Sequence, residues 1–338
     1  MLPIRRPPGR RAAMKPRFID PTRARTRKLG MLARKVAQDQ LATPLGAGAS
    51  MSEFLEALPD TLAAKDLCDL ANAIASARRN RRTVLLMMGA HPLKVGLGPL
   101  ICALIRDRTL TAIATNGAAI IHDFELAFAG RTSEDVAAEL ADGSFGMVEE
   151  TGAFLNGAAI MAAEEGAGLG EVVGREIVRA KMKYHHASVF AAAHTAGIPA
   201  TVHVTLGADI IHMHPRADGA AIGGASFADF HRLTAVVAGL SRGAVLNLGS
   251  AVVMPEVFLK ALNLARNLGN KVERFTAADM DFLRHYRPRM NVVERPTMGG
   301  GRGFMLTGHH ELMFPLLVAA IREAIARPLR ARKKSRRS

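Results

Sequence analysis

Residues 83–123 constrain the fold more than any other stretch. Thr83-Val-Leu-Leu-Met-Met88 is an unbroken, mostly apolar run that ends at Gly89-Ala90-His91-Pro92. Gly96 and Gly98 open a second run, Leu100 to Ile105. A third, Leu110 to Ala114, leads into Thr115-Asn116-Gly117 and on to His122-Asp123. A run without polar alternation suits a strand buried on both faces, as in a parallel sheet. The stretch therefore predicts strand, glycine turn, helix, strand, glycine turn, helix. Both turns then fall at the carboxyl edge of the sheet, where open α/β folds bind ligands. The helix N-termini behind them favour anions. The spacing is not the Gly-x-Gly-x-x-Gly dinucleotide fingerprint, and plain turn glycines explain it equally well.

The alternation continues along the chain. Ser52-Glu53-Phe54 opens an amphipathic helix, and Thr61–Arg78 is a second with Asp60 as its N-cap. Further helices are expected over Phe124–Ala129, from Thr132–Asp135, and twice within 147–183 around a joint at Gly166–Gly170. Others fall over His186–Ala196, Ser226–Leu240, Pro255–Leu268 and residues 309–326. Strands are expected over Ala200–Thr205, Ala244–Leu248 and Lys271–Phe275, with Ile210–His214 a strand or a helix start. The fold class is α/β, a Rossmann-like three-layer parallel sheet with an N-terminal helical extension. Its limits read as a basic arm (1–50), an α/β domain (51–326) and a basic, disordered tail (327–338).

Hydrophobic residues make up 49% of the 338, enough for a full core, but aromatics are only 5% and Trp is absent. Ala, Gly and Met must fill the interior. Two cysteines, Cys68 and Cys102, make neither a disulfide framework nor a zinc site, which points to a reducing, cytoplasmic setting. No apolar run reaches the ~20 residues that span a bilayer, so no membrane partner is expected. The net charge of +15 sits at the ends. Residues 1–36 and 327–338 together carry +18, leaving −3 for the body. Such ends are usually solvated, and they offer weak phosphate contacts to nucleic acid. Met14 is an alternative start, because residues 1–13 read as Pro/Arg-rich upstream sequence.

Three blocks together resemble the deoxyhypusine synthase family. The first is Leu85-Leu-Met-Met-Gly-Ala-His-Pro-Leu-Lys94 through Leu104. The second is residues 113–123. The third joins Ser188-Val-Phe-Ala-Ala-Ala-His-Thr-Ala-Gly-Ile198-Pro199, a Gly/Asp turn, and Gly243-Ala-Val-Leu-Asn-Leu-Gly-Ser-Ala-Val-Val253. Order and spacing are similar over roughly residues 83–270. The resemblance implies an NAD-dependent transferase that oxidises a polyamine such as spermidine to an imine and passes on an aminobutyl group. It also implies a homotetramer with sites at subunit interfaces.

The departures bear on the chemistry. Where the family has Val-Val-Lys-His-His, this chain has Val252-Val253-Met254-Pro255-Glu256. Its Glu-Glu pair becomes Ile121-His122, followed by the retained Asp123. No lysine lies between Lys271 and Lys333, so the imine-forming lysine has no counterpart. On this footing the candidate catalytic groups are His122, Glu256 and His309, the last from His309-His310-Glu311 near the lost lysine. Asp123, Asp209 and Glu311 are candidates for binding substrate ammonium groups. Gly89, His91, Lys94, Gly96, Thr115, Asn116, Gly117, Gly249 and Ser250 are candidates for NAD. Arg302, among glycines, reads as an anion-binding loop or a plain surface loop. Two other readings remain: a non-catalytic NAD- or amine-binding oligomer, and a metal-assisted hydrolase using His203, His212 and His214, whose donors suit Zn or Fe.

Overall fold

The computed structural model describes residues 19–329. The basic stretches 1–18 and 330–338 lie outside the described residues. The chain divides into two units between Asp39 and Gln40. The described part of the first carries 3-10 turns at Pro21–Arg23 and Leu29–Met31.

The second unit is built on six parallel strands: β1 (Val84–Met88), β2 (Ala112–Asn116), β3 (Ala200–His203), β4 (Ala244–Leu248), β5 (Thr276–Asp281) and β6 (Arg302–Thr307). Their order across the sheet is β3-β2-β1-β4-β5-β6. Two helices precede the sheet, α1 (Met51–Ala57) and α2 (Leu62–Arg79). After β1 come α3 (His91–Lys94) and α4 (Gly98–Arg106). Between β2 and β3 lie α5 (Gly117–Ala129), α6 (Val136–Glu139), α7 (Glu149–Glu165), α8 (Leu169–Arg179) and α9 (Val189–Ala196). Then follow α10 (Gly219–Ala238) before β4 and α11 (Val253–Asn267) after it. α12 (Tyr286–Pro288), a π-helical turn and α13 (Arg295–Thr297) link β5 to β6, and α14 (His310–Ala326) closes the unit.

Period-two alternation explains the three layers. Val84, Leu86 and Met88 face one core with residues of α2, α4, α5 and α14. Leu85 and Met87 face the other with residues of α10 and α11. This is the Rossmann-like architecture expected from residues 83–123, with both faces of the sheet covered.

Several boundaries differ from expectation. β2 runs straight into α5 without a separate turn, because the Asn116 side chain accepts from Ala119 N at 3.2 Å and caps the helix at once. His122 and Asp123 therefore lie inside a helix. α2 starts after Thr61 rather than Asp60 and has no side-chain cap. α1 has the full capping box, Ser50 with Glu53. α10 begins seven residues early, capped by Asp218. Ile210–Met213 is a 3-10 turn. Residues 271–275 are not a strand; Val272 and Phe275 are buried anchors, and β5 starts at Thr276. Asp279 and Asp281 broke its apolar pattern. Arg302 opens the edge strand β6 instead of an anion loop, and its guanidinium pairs with Asp69 at 2.8 Å. Residues 327–329, expected in a disordered tail, make specific contacts. Arg327 pairs with Glu56 at 2.9 Å, and buried Leu329 exchanges two backbone hydrogen bonds with the Asn72 side chain. Among the described residues no helix is long and apolar enough to cross a membrane.

Candidate functional site

The strand order reverses between β1 and β4, and an open α/β sheet parts its loops at that switch point. Here the two loops are in close contact. A Cβ on Gly89 would lie 2.5 Å from the Gly249 carbonyl oxygen. Gly249 has φ +64, and a Cβ there would lie 2.7 Å from Cε1 of His310. Glycine is thus required twice over at 249, by the backbone and by the ring it admits. Beneath the loop, Asn247 Nδ2 donates to Ser250 O at 2.9 Å and to Asp279 Oδ1 at 2.7 Å. Burial pushes the Asp279 carboxyl up to about 7, against the Asn247 hydrogen bond. Ser250 Oγ accepts from Met254 N at 3.2 Å.

His310 is fully buried over this turn, at the start of α14. Its Nδ1 lies 2.8 Å from Nδ1 of His91, at the start of α3. Its Nε2 lies 3.3 Å from Met280 O and 3.7 Å from Asp281 Oδ1. The Phe282 ring flanks both imidazoles. The ends of β1, β4, β5 and β6 therefore meet in one cluster of His91, Gly249, Asp281, Phe282 and His310.

The other half of the edge holds a cavity of about 150 Å³, lined by Lys94, His122, Glu125, Glu134 and Asp209 among others. His122 Nδ1 is 2.7 Å from the Thr132 hydroxyl, which donates to Glu125 in a short hydrogen bond. The hydroxyl proton is thus committed to Glu125, so His122 Nδ1 carries a proton and Nε2 is bare. Burial, helped by Lys94, brings the His122 imidazole down to about 4. Asp209 packs on Gly117 so closely that a Cβ there would collide with Oδ2. That oxygen is buried without a hydrogen-bond partner, and burial pushes the carboxyl up to about 6. Glu134 Oε2 accepts from Gly146 N at 2.7 Å, but its Oε1 is also buried and unpartnered.

The remaining candidates fall elsewhere. His309 is exposed at the N-cap of α14, with Glu311 Oε1 3.9 Å away, so the second histidine of the doublet is the one at the sheet edge. Glu256 bonds Lys260, Arg287 at 3.3 Å and Asn291 at 2.9 Å, and this ties α11 to α12 and the π turn. Those cations hold it below the usual carboxylate range, Lys260 foremost. A carboxylate with three partners is a structural hub rather than a free base. Asp123 is fully buried and accepts from Ser188 Oγ at 2.5 Å and Val189 N at 2.7 Å, fastening α5 to the start of α9. These bonds make it a structural anchor. Thr115 is buried with its hydroxyl donating to Asn116 O. Gly96 has φ +81, and a Cβ there would meet nothing within 4 Å. Lys94 lies with the carboxylates of the cavity.

His203, His212 and His214 do not converge. His203 bonds Thr201 at 3.0 Å. His212 Nδ1 accepts from Gly207 N and Asp209 N. His214 Nδ1 accepts from Arg216 N, and its ring occupies the space a Cβ on Gly152 would need. Among the described residues no group of three or more His, Cys, Asp or Glu side chains is placed to hold a metal ion. The metal-assisted reading thus loses its ligand set.

No family model matches the chain, and no curated protein matches its sequence. Solved structures do. The arginine dihydrolase ArgZ of the cyanobacterial ornithine-ammonia cycle is similar at 14% identity and TM-score 0.46, over 84% of this chain and 33% of that one. AgrE, solved with ornithine and NAD+, is similar at 13% and 0.48, over 78% and 34%. A candidate deoxyhypusine synthase from Entamoeba histolytica is similar at 13% and 0.48, over 82% and 95%. This chain covers only about a third of ArgZ and AgrE. At such identities each likeness is one of related fold.

Proposed function

We propose that this chain is an NAD-dependent enzyme acting on an amine, with a polyamine as substrate and an aminoalkyl group as the unit transferred. One observation carries the reading: Asp209 Oδ2 and Glu134 Oε1 are buried and unpartnered in the cavity that His122 lines. A buried acceptor left without a donor costs roughly 1–3 kcal/mol. An ammonium group brings three donors and the opposite charge, the chemistry that such oxygens lack. The bare Nε2 of His122 completes the set as a neutral acceptor. Without the family lysine, the transferred group passes to a second amine or to water.

The residues present fit NAD in donor chemistry. α11 opens at the switch point with no side-chain bond from its N-cap residue Val252, and Ser250 takes the N–H of Met254 alone. Pro255 has no N–H and Glu256 N donates to Val252 O, so the Val253 amide, with Lys94 on α3, would hold phosphates. When bound, NAD would take a hydride from the carbon beside the amine nitrogen. The assembly belonging to this reading is a homotetramer. The two free thiols Cys68 and Cys102 agree with a reducing, cytoplasmic setting.

The test is incubation with NAD and a panel of di- and polyamines, followed by NADH absorbance and mass spectrometry of products. NAD alone should raise Tm, by about 2.7 kcal/mol of stabilisation at a hundredfold excess over Kd. No shift with saturating NAD, NADH or NADP, and no product from any amine, refutes the proposal.

A further inference from the structure

The histidine pair lies outside the carboxylate cavity, and its partners fix where its protons are. His310 Nε2 faces only acceptors, Met280 O at 3.3 Å and Asp281 Oδ1 at 3.7 Å, so it carries hydrogen. In a neutral imidazole the other nitrogen, Nδ1, is then a lone pair. His91 Nδ1 lies 2.8 Å from it. Two lone pairs at that distance repel and two N–H groups collide, so His91 Nδ1 is the donor. What is left is His91 Nε2, bare, on a half-buried ring at the switch point. We propose that His91 is the proton acceptor of this crevice, with its Nε2 kept bare by His310 acting as a positioning residue.

The surroundings suit that role. Burial holds the His310 imidazole below its ordinary value, with Asp281 acting in the opposite sense. That burial favours the neutral His310 ring. Phe282 flanks both rings, His309 stacks on Phe282 from the surface, and Glu311 pairs with His309. Asp281 is the carboxylate that acts most on the buried ring, with Glu311 weaker in the same sense. When the N–H bond of a second ammonium of the polyamine, one outside the carboxylate cavity, breaks, its electron pair stays on that nitrogen and the proton joins His91 Nε2. The bridging proton can then shift from His91 Nδ1 to His310 Nδ1, which moves the positive charge beside Asp281. The free amine is the form from which a hydride can leave. The source of the proton rests on the amine reading above; the tautomers do not.

Nitrogen-15 NMR of the full-length protein, with histidine signals assigned by single substitution, reads the tautomers directly. His91 should show Nδ1–H with a bare Nε2, and His310 should show Nε2–H. In His310→Phe, His91 should revert to a mixture with hydrogen on Nε2. A wild-type His91 protonated at Nε2, or one unchanged by His310→Phe, overturns the proposal. The wild-type spectrum alone decides if that variant fails to fold. In the amine assay, His91→Gln should lower NADH formation by about 100-fold; undiminished turnover overturns the assigned role. Loss of the NAD shift in the wild type would instead refute the cofactor reading and leave the tautomers standing.

Discussion

The two halves of the sheet's carboxyl edge differ in how far their polar groups are satisfied. On the β1–β4–β5–β6 side, His310 lies between Met280 O and His91, and glycine at 89 and 249 lets the loops close on it. On the β2–β3 side, Asp209 Oδ2 and Glu134 Oε1 are buried without a partner, on residues that line the cavity. Asn247 Oδ1 is the exception on the first side; the contrast teaches that a bonded histidine pair orients a reacting group, whereas underbonded carboxylates wait for a ligand. A buried group left unsatisfied costs stability, and a ligand recovers that cost.

The sharpest way to break the first half is Gly249→Ala. The backbone stays at positive φ and the new methyl meets His310 Cε1. We expect a loss of about 3 kcal/mol in urea unfolding, together with loss of the His91 tautomer. Near-wild-type stability would show that the ring does not lie over this turn.

The second half predicts the opposite sign. The folded-state carboxyl of Asp209 is raised to about 6 from a usual 3.8. The native state then holds the proton more tightly than the unfolded chain, so stability falls as pH rises from about 4 to about 6 and stays low above. Asp209→Asn removes that penalty. Its stability should exceed the wild type's at pH 8, by up to about 3 kcal/mol, and the gap should close near pH 4. It should also weaken amine binding. A destabilised variant at pH 8 would mean that the carboxylate is already paired.

A smaller effect separates the two histidines. Thr132→Val cuts His122 from Glu125 and should cost about 1 kcal/mol while leaving the His91 and His310 spectra unchanged. Altered His91 signals would mean the halves are coupled. The smallest expected effect is none at all. Borohydride trapping with NAD and spermidine should leave the protein mass unaltered. Lys94 lines the cavity but is exposed, and an imine-forming amine needs desolvation to lose its proton. An aminobutyl adduct on Lys94 would place the transfer chemistry there.

The fold was legible where local pattern and tertiary burial coincide. β1 and β4 are apolar on both faces, and the glycines after them lie at their ends as expected. It was illegible where buried polar groups interrupt the pattern. Asp279 and Asp281 hid β5, and the alternation of Arg302 with glycine hid β6. The candidate site was half legible. His122, Asp209 and Lys94 share one cavity, and His91 and Gly249 meet at the switch point. Asp123, Glu256, His309 and Glu311 do not join them.

By itself the sequence determined the layer architecture, because apolar periodicity and glycine punctuation are local and a parallel sheet has few ways to bury such runs. Only the tertiary structure decided which polar residues are paired. Asp123 and Asp209 are both acidic residues near predicted turns, yet one accepts three hydrogen bonds at the head of α9 and the other keeps a bare oxygen. His309 and His310 are neighbours, yet one lies in solvent and the other is sealed above Gly249. Those outcomes depend on partners about 30 to 220 residues away along the chain, which no local pattern records.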